Sequence, residues 1–467
     1  MLLQIHEPGK TPDLSKKNGL VVGIDFGTTN SVVAISHQGK AEIVPLEGDR
    51  LVPSVIGYKD GTAWVGRKAQ QERGLNVIRS IKRSMEPQSL QPKHDKNSIE
   101  ISADILRYLK TEAEKSLKET ITGAVLTVPA YYSEVAREAT RAAAHLAGIP
   151  ILRLINEPTA AALAYHLDEQ EEGVSLIYDL GGGTFDVSVL QLHKGIFQVL
   201  AVRGDMVLGG DDLDKSLFKF LVLTVGEILE SEGLLLARQI KEHLTTDLVW
   251  EGEIRGKKVQ ITRDILNQLV SPFIEKTLHL CGQALQEAGV IKQELKFVVL
   301  VGGSTRLPIV RDQIEQFFGK KPLSYVNPDE VVSLGAALHA ESLRDGKGKL
   351  LLDVTPFALG IETLGNTVEI IIPPNSPLPC SVSQLFTTAQ DGQTKIKIHI
   401  VQGTRKTLEN CSSLATFVLA NIPPSPAGYP QLKVIFTLDA DGILSVFAEE
   451  QRSHTRHMVQ AKPTYKF

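Results

Sequence analysis

The sequence predicts an α/β region made of two related lobes, followed by an all-β sandwich. Three observations predict it. Two hairpins share one grammar, "GIDFGTTNSVVAI" at 23–35 and "IYDLGGGTFDVSVL" at 177–190. Each runs as an apolar strand into an acid, turns through glycine and threonine, and leaves as another apolar strand; such self-similarity points to an internal duplication. Strand and helix patterns alternate up to about residue 345, the grammar of α/β architecture. From about 353 onward only short alternating strands remain.

The first turn is unusual for a hairpin, which Asn-Gly or Asp-Gly alone would serve. Gly27, Thr28 and Thr29 place surplus donors beside Asp25. Taken singly, this reads as a glycine turn with threonines of high strand propensity. The second turn shifts the balance. Gly181, Gly182 and Gly183 in succession cost backbone entropy that a purely structural strand would avoid. They suit backbone N–H groups that must approach a polyanion closely. Asp25 and Asp179 are then expected to face each other across a cleft and hold a hydrated Mg2+, a metal that keeps most of its waters. The pair of hairpins points to nucleotide binding.

Between the hairpins, "AVLTVPAYYSEVAREATRAAAHLAGIP" predicts a strand over 124–128, a proline turn and a helix over about 134–147, closed by Gly148 and Pro150. "LRLINEPTAAALAYHL" follows as another strand and helix. After the second hairpin, "FVVLVGGSTRLPIV" (297–310) reads as a buried strand, a Gly302-Gly303-Ser304-Thr305 turn and a new helix, again presenting N–H groups. "VNPDEVVSLGAALHAESLR" closes this region as a helix. "RDGKGK" (344–349) reads as a linker, but Leu350, Leu351 and Leu352 behind it are too apolar for a free tether and are expected to dock. "TKIKIHI", "LKVIFTL" and "GILSVFA", with turns at Asp391-Gly392 and Asp441-Gly442, give the sandwich. The expected division is a tail over 1–20, a two-lobed region over 21–345 with its lobe boundary near 176–190, a linker over 346–353 and a sandwich over 354–467.

Composition narrows the class. At 467 residues the chain exceeds one core, and 42% hydrophobic with 22% charged residues is ordinary for a globular protein. A net charge of −4 and the lack of a basic run with interleaved aromatics argue against a nucleic-acid partner. Cys281, Cys380 and Cys411 lie far apart without metal-ligand spacing, so free thiols in a reducing compartment are expected. No apolar run reaches membrane-spanning length and no signal peptide is evident. The expectation is a cytoplasmic monomer with no membrane partner.

"GIDFGTTNS", "VPAYYSEVAREAT", "NEPTAAALAY", "DLGGGTFDVSVL", "GGDDLD", "VGGSTRLP" and "LLLDVTPFALGIET" together resemble the signature segments of the Hsp70 chaperones over nearly the whole chain. "LLQIHEPGK", "GIFQVLA" and "VQAKPTY" are most similar to the HscA branch, which is specialised for iron–sulfur cluster assembly. The resemblance implies an actin-like, two-lobed ATPase followed by a β-sandwich that holds extended apolar peptides. It implies that Gly27, Thr28 and Thr29 cradle phosphates from one lobe, and Gly181, Gly182, Gly183 and Thr184 from the other. Asp25 and Asp179 would order the Mg2+ shell, and Asp186 would assist with metal or K+. Lys82 matches a lysine that stabilises the γ-phosphate, although composition alone reads it as a surface lysine. Glu157 matches the acid that positions the attacking water and couples to the hinge. Gly302, Gly303, Ser304, Arg306 and Lys241 would meet adenosine, with Asp329 near the ribose.

By the same resemblance, Leu364, Phe386, Ala389, Ile396 and Ile398 line a peptide channel; read from alternation alone, they are equally well inward-facing sandwich residues. Pro129 and Arg137 resemble the switch that relays nucleotide state. Arg153, Leu350, Leu351, Leu352 and Asp353 resemble the surfaces that meet a J-domain co-chaperone and join the domains. An iron–sulfur scaffold protein is the expected client, and ATP/ADP the cofactor. The alternative is a degenerate chaperone acting as a peptide adaptor with weak or no ATPase. Departures from the family pattern bear on this choice. Glu242 falls where many relatives have an adenine-stacking arginine, and Arg238 where they have a glutamate. A weakened adenosine grip is therefore expected, tightened by Glu242→Arg. The sequence also stops at Phe467, where relatives continue into a helical lid, so fast peptide exchange without a lid is expected.

Overall fold

The computed structural model describes residues 19–72, 74–86, 94–165, 172–193, 196–346, 351–403 and 407–460. The expected tail over 1–20 falls almost wholly outside them, and so does Leu350 with 347–349 of the linker.

Two sheets share one layout. In the first, Lys40–Ile43, Asn30–His37 and Leu20–Phe26 form an antiparallel meander, and Leu20–Phe26 pairs in parallel with Ile121–Val128, followed by Ile151–Asn156. In the second, Ile196–Asp205, Phe185–His193 and Gly173–Leu180 repeat the meander, and Gly173–Leu180 pairs in parallel with Leu295–Val301. The sequence duplication is thus a topological one. Strands such as Leu20–Phe26 and Phe185–His193 are buried on both faces, which explains their nearly continuous apolar character.

Helices cover these sheets. Glu134–Leu146 starts where Ser133 Oγ accepts the Ala136 N–H, and Gly148, at φ 71°, ends its turn. Val331–Arg344 packs on the first hairpin and on Glu157–Ala164. Gly335 in its middle faces the Ala160 carbonyl so closely that a Cβ would collide. A mid-helix glycine costs about 1 kcal/mol against alanine; here it is kept for that close approach.

The last part is a sandwich of two four-stranded sheets. One orders Thr367–Ile372, Ala358–Thr363, Ile396–Gly403 and Cys411–Leu419; the other Cys380–Phe386, Leu432–Leu438, Leu444–Glu450 and Thr455–Gln460. Alternate residues such as Leu359, Ile361, Ile400, Val434, Phe436 and Val446 fill the space between. Val135, from the helix Glu134–Leu146 of the first lobe, is buried in this same core. The sandwich is therefore seated on the α/β region. Between them, Leu351–Leu352 forms a short strand parallel to Ile196–Asp205, Leu351 opposite Phe197 and Leu352 opposite Gln198. Among the described residues, no helix is long and apolar enough to cross a membrane.

Candidate functional site: the interlobe cleft and the seated sandwich

The two glycine-threonine turns meet. A Cβ on Gly182 would collide with Thr29, and one on Gly183 with Thr28. Gly209 lies against Gly182 and Gly183 in turn, and the Gly210 N–H donates to the Gly181 carbonyl at 3.0 Å. These residues leave backbone where side chains would otherwise sit, which is the shape needed for phosphates against N–H groups. Thr28 and Thr184 are buried at the same junction.

Beneath the turns lies a crowd of acids around one cation. Lys82 and Glu157 form a buried ion pair. Burial alone would depress the Lys82 ammonium, but Glu157 and Asp25 outweigh it and raise it. Burial, then Glu157, pushes Asp25 up to about 7, even though Thr127 donates to its Oδ1 at 3.0 Å. Asp186 is likewise pushed to about 7 by burial and Glu157, and Asp179 well above the usual carboxylate range by burial and the same neighbours. Asp179 and Asp186 are direct cross-strand partners, a like-charged pair that destabilises a sheet. The Tyr131 N–H serves Asp186 Oδ1 at 2.8 Å, while Oδ2 is buried without a hydrogen-bond partner. Too much negative charge for one lysine fits a divalent cation. Among the described residues, no three acids, histidines or cysteines converge to ligate a metal directly, so the donor set fits a hydrated Mg2+ rather than a stripped one. Magnesium nucleotide, when bound, supplies the phosphoryl group and countercharge. The chain's own part is to hold Lys82 and Glu157 in a fixed, dry geometry where charge develops.

Sequence reasoning missed the clasp that brings the lobes together. Ser80 Oγ donates to Asp211 Oδ2 at 2.6 Å, and Arg83 reaches both Asp212 Oδ2 (2.5 Å) and the Gly183 carbonyl (2.7 Å). The available signals were the lysine-arginine pair of "SIKRS" and the acids of "GGDDLD".

At the far end of the cleft, Gly302 takes φ 84° and Gly303 stands where a Cβ would lie 2.7 Å from Asp329. Ser304 Oγ donates to the Gly181 carbonyl at 2.9 Å, and Arg306 pairs with Asp329 at 2.6 Å. Lys241 is buried, bound to Asp214 (2.7 Å) and the Gly210 carbonyl (3.1 Å). The expectation for Glu242 needs correction. Its side chain is 61% exposed and accepts from Arg238 Nε at 2.9 Å, one turn earlier. No buried carboxylate penalises a base here, because the departures at 238 and 242 form one ion pair with the charges exchanged.

The relay residues sit where sandwich meets lobe. Pro129 opens the turn into the helix Glu134–Leu146, its carbonyl accepting from the Tyr132 N–H at 3.3 Å. Arg137 donates to Asn156 Oδ1 at 2.6 Å, faces Asp353 and lies close to Gly442. Arg153 lies 3.5 Å from Asp441, whose Oδ1 also accepts the Leu154 N–H at 3.1 Å. The Glu134 N–H donates to Gln402 at 3.2 Å, and Tyr131 packs on Phe357.

Burial at this contact pushes Glu134 up to about 8, opposed by Arg137 and reinforced by Asp439 of the sandwich. Asp441 is raised to about 6 by burial, opposed by Arg153. The seated form therefore holds a proton that a released Glu134, near its ordinary 4.5, would give up. Seating is fully supported below the ordinary value and loses support as pH rises through about 8. Energy transfer between dyes on lobe and sandwich should fall from pH 6 to pH 9. Glu134→Gln should flatten that slope; an unchanged slope would refute the linkage.

The five channel residues differ in exposure. Leu364 is 82% exposed in a hairpin turn and Ala389 is exposed. Phe386 and Ile396 are half-buried against the sandwich core, and Ile398 lies inside it. Inward alternation carries Ile398 between the sheets, where it is buried in the sandwich core.

Comparison with known proteins fits this geometry. The family model described as "Hsp70 protein" matches residues 21–98 and 85–466. The chain is 43% identical to a protein named "Chaperone protein HscA homolog" of Vibrio cholerae, over 99% of this chain and 81% of the relative. The same figures hold for the homolog of Azotobacter vinelandii and for "Chaperone protein HscA" of Klebsiella pneumoniae. With cradle, acid cluster and seated sandwich in place, the chain belongs to the Hsp70 family, as an HscA-like, nucleotide- and Mg2+-dependent ATPase chaperone that binds client peptides and works with co-chaperones.

Proposed function

We propose that ATP hydrolysis between the two lobes governs capture and release of extended, Leu/Val/Pro-rich segments at the sandwich, in the cytoplasm, during maturation of iron–sulfur proteins. In this reading, 21–345 is the ATPase region, 346–353 the linker and 354–467 the peptide holder. Lys82 stabilises charge on the transferred phosphoryl group and Glu157 orients the attacking water, with Thr184 at its side. Asp25 and Asp179 order the hydrated metal, and Asp186 serves K+ or metal from the flank. Arg153 and the linker leucines meet a J-domain co-chaperone, and an iron–sulfur scaffold protein is the client favoured by resemblance.

One observation carries the coupling. Arg137 faces Asp353 of the linker and holds Asn156, the residue immediately before Glu157. A change at the catalytic acid is thus one residue away from the seat of the sandwich. A single-turnover ATPase assay with and without a J-domain protein and an extended apolar peptide tests the reading. Slow hydrolysis accelerated by both is expected. Peptide binding that ignores nucleotide, with no hydrolysis in either case, would overturn it in favour of an adaptor.

A further inference from the structure

Three polar side chains far from the cleft line up across the sandwich. Glu362, His399 and Ser413 come from the neighbouring strands Ala358–Thr363, Ile396–Gly403 and Cys411–Leu419. Ile361 and Ile400 are cross-strand partners that point into the core, so Glu362 and His399, next along each strand, turn to the outer face side by side. Ser413 reaches that face through a β-bulge. Ile400 stands opposite Ala415 and Val401 opposite Ser413, which leaves Leu414 as the extra residue, and Leu414 and Ala415 both lie in the core. Strict alternation from Ala415 would have sent Ser413 inward. Bulges re-aim side chains in this way and are over-represented beside active sites.

The result is a relay. Glu362 Oε2 lies 2.6 Å from His399 Nδ1, and His399 Nε2 lies 2.8 Å from Ser413 Oγ. In a neutral imidazole one nitrogen donates and the other accepts. With the Nδ1–H given to the carboxylate, Nε2 accepts the hydroxyl hydrogen of Ser413. Ser413 is exposed, whereas the side chains of His399 and Glu362 are only 15% and 25% exposed. The hydroxyl therefore meets solvent while the groups behind it are held.

We propose that Ser413 is a nucleophile toward small, activated acyl esters, with His399 as its base and Glu362 as the positioning residue of His399. Such a constellation is recognised by its geometry and roles, whatever fold carries it. Ser413 Oγ attacks the ester carbonyl carbon, and its proton passes to His399 Nε2. The bond from that carbon to the leaving oxygen breaks, and the departing alcohol takes the Nε2 proton. Water then attacks the acyl carbon on Ser413 and gives a proton to Nε2. The bond to Oγ breaks, Oγ regains that proton, and the carboxylic acid leaves.

The full chain without nucleotide, mixed with p-nitrophenyl acetate, tests this. A burst of p-nitrophenolate followed by slow turnover is expected, with the acetyl group found on Ser413 by peptide mass spectrometry. Ser413→Ala should abolish the burst and the acetylated peptide, while melting temperature and ATP hydrolysis stay as in the wild type. His399→Gln should slow acylation about a hundredfold. Glu362→Gln should slow it about tenfold or more with KM unchanged, and add nothing in His399→Gln, as a residue acting through His399 must. A burst that survives Ser413→Ala, or acetylation confined to lysines, would overturn the proposal. So would variants at 399 and 362 that melt lower yet acylate at the wild-type rate, which would make the three residues a structural hydrogen-bond chain.

Discussion

Lys82→Ala is expected to slow single-turnover ATP hydrolysis by about a hundredfold or more while ATP still binds. One preorganised charge aimed at a developing anion is worth roughly 3 kcal/mol. Lys82 is also the only cation in direct ion-pair contact with Glu157 among the described residues, so its loss leaves a buried carboxylate uncompensated. Removing one partner of such a pair costs about 3–5 kcal/mol, and part of the effect could be structural. The double variant Lys82→Ala/Glu157→Gln removes that penalty and should regain thermal stability without regaining turnover. Full turnover in Lys82→Ala would eliminate Lys82 from the chemistry.

The second large effect is expected at Val135. This side chain belongs by sequence to the first lobe and by packing to the sandwich core. Losing its burial forfeits about 1.5–3 kcal/mol, and Val135→Asp would also strand a carboxylate in an apolar space at a cost of several kcal/mol more. The seated population should fall at least a hundredfold while ATP binding in the cleft persists. Crosslinking between Glu134 and Gln402, each replaced by cysteine, would report it; undiminished crosslinking in Val135→Asp would refute the role assigned to this contact. Val135→Ile, close in shape, should seat nearly as the wild type does.

Much of the α/β region was legible because local pattern and tertiary role coincide there. Gly181, Gly182 and Gly183 make no sense as strand residues, and the structure places Gly182 and Gly183 where a Cβ would strike Thr29 and Thr28 of the opposite turn. The expected helix over 134–147 is Glu134–Leu146, since Ser133 and Gly148 mark its ends chemically. The seat of the sandwich was not legible in the same way. Glu134 meets Gln402, and Leu154 meets Asp441, across 268 and 287 residues, and no periodicity in either segment encodes such a pairing. Ile398, buried between the sheets, was ambiguous for a different reason. An alternating strand gives the same pattern whether its apolar face lines a channel or fills a core. The departures at Glu242 and Arg238 were both legible, but not that they pair with each other across i,i+4, which depends on the side-chain directions of the folded helix.

The two-residue strand Leu351–Leu352 has a colloidal consequence. It is the outermost member of the second sheet and covers Ile196–Asp205 only at Phe197 and Gln198. When the linker lifts away, Phe197 and Gln198 are uncovered as well, and an open edge recruits any extended chain that can pair with it. A protein whose work is to meet extended chains thus exposes a second, unselective place for them whenever the sandwich is released. Static light scattering should register more self-association of Val135→Asp than of the wild type at equal concentration, and a Lys or Pro at position 198 should suppress the excess.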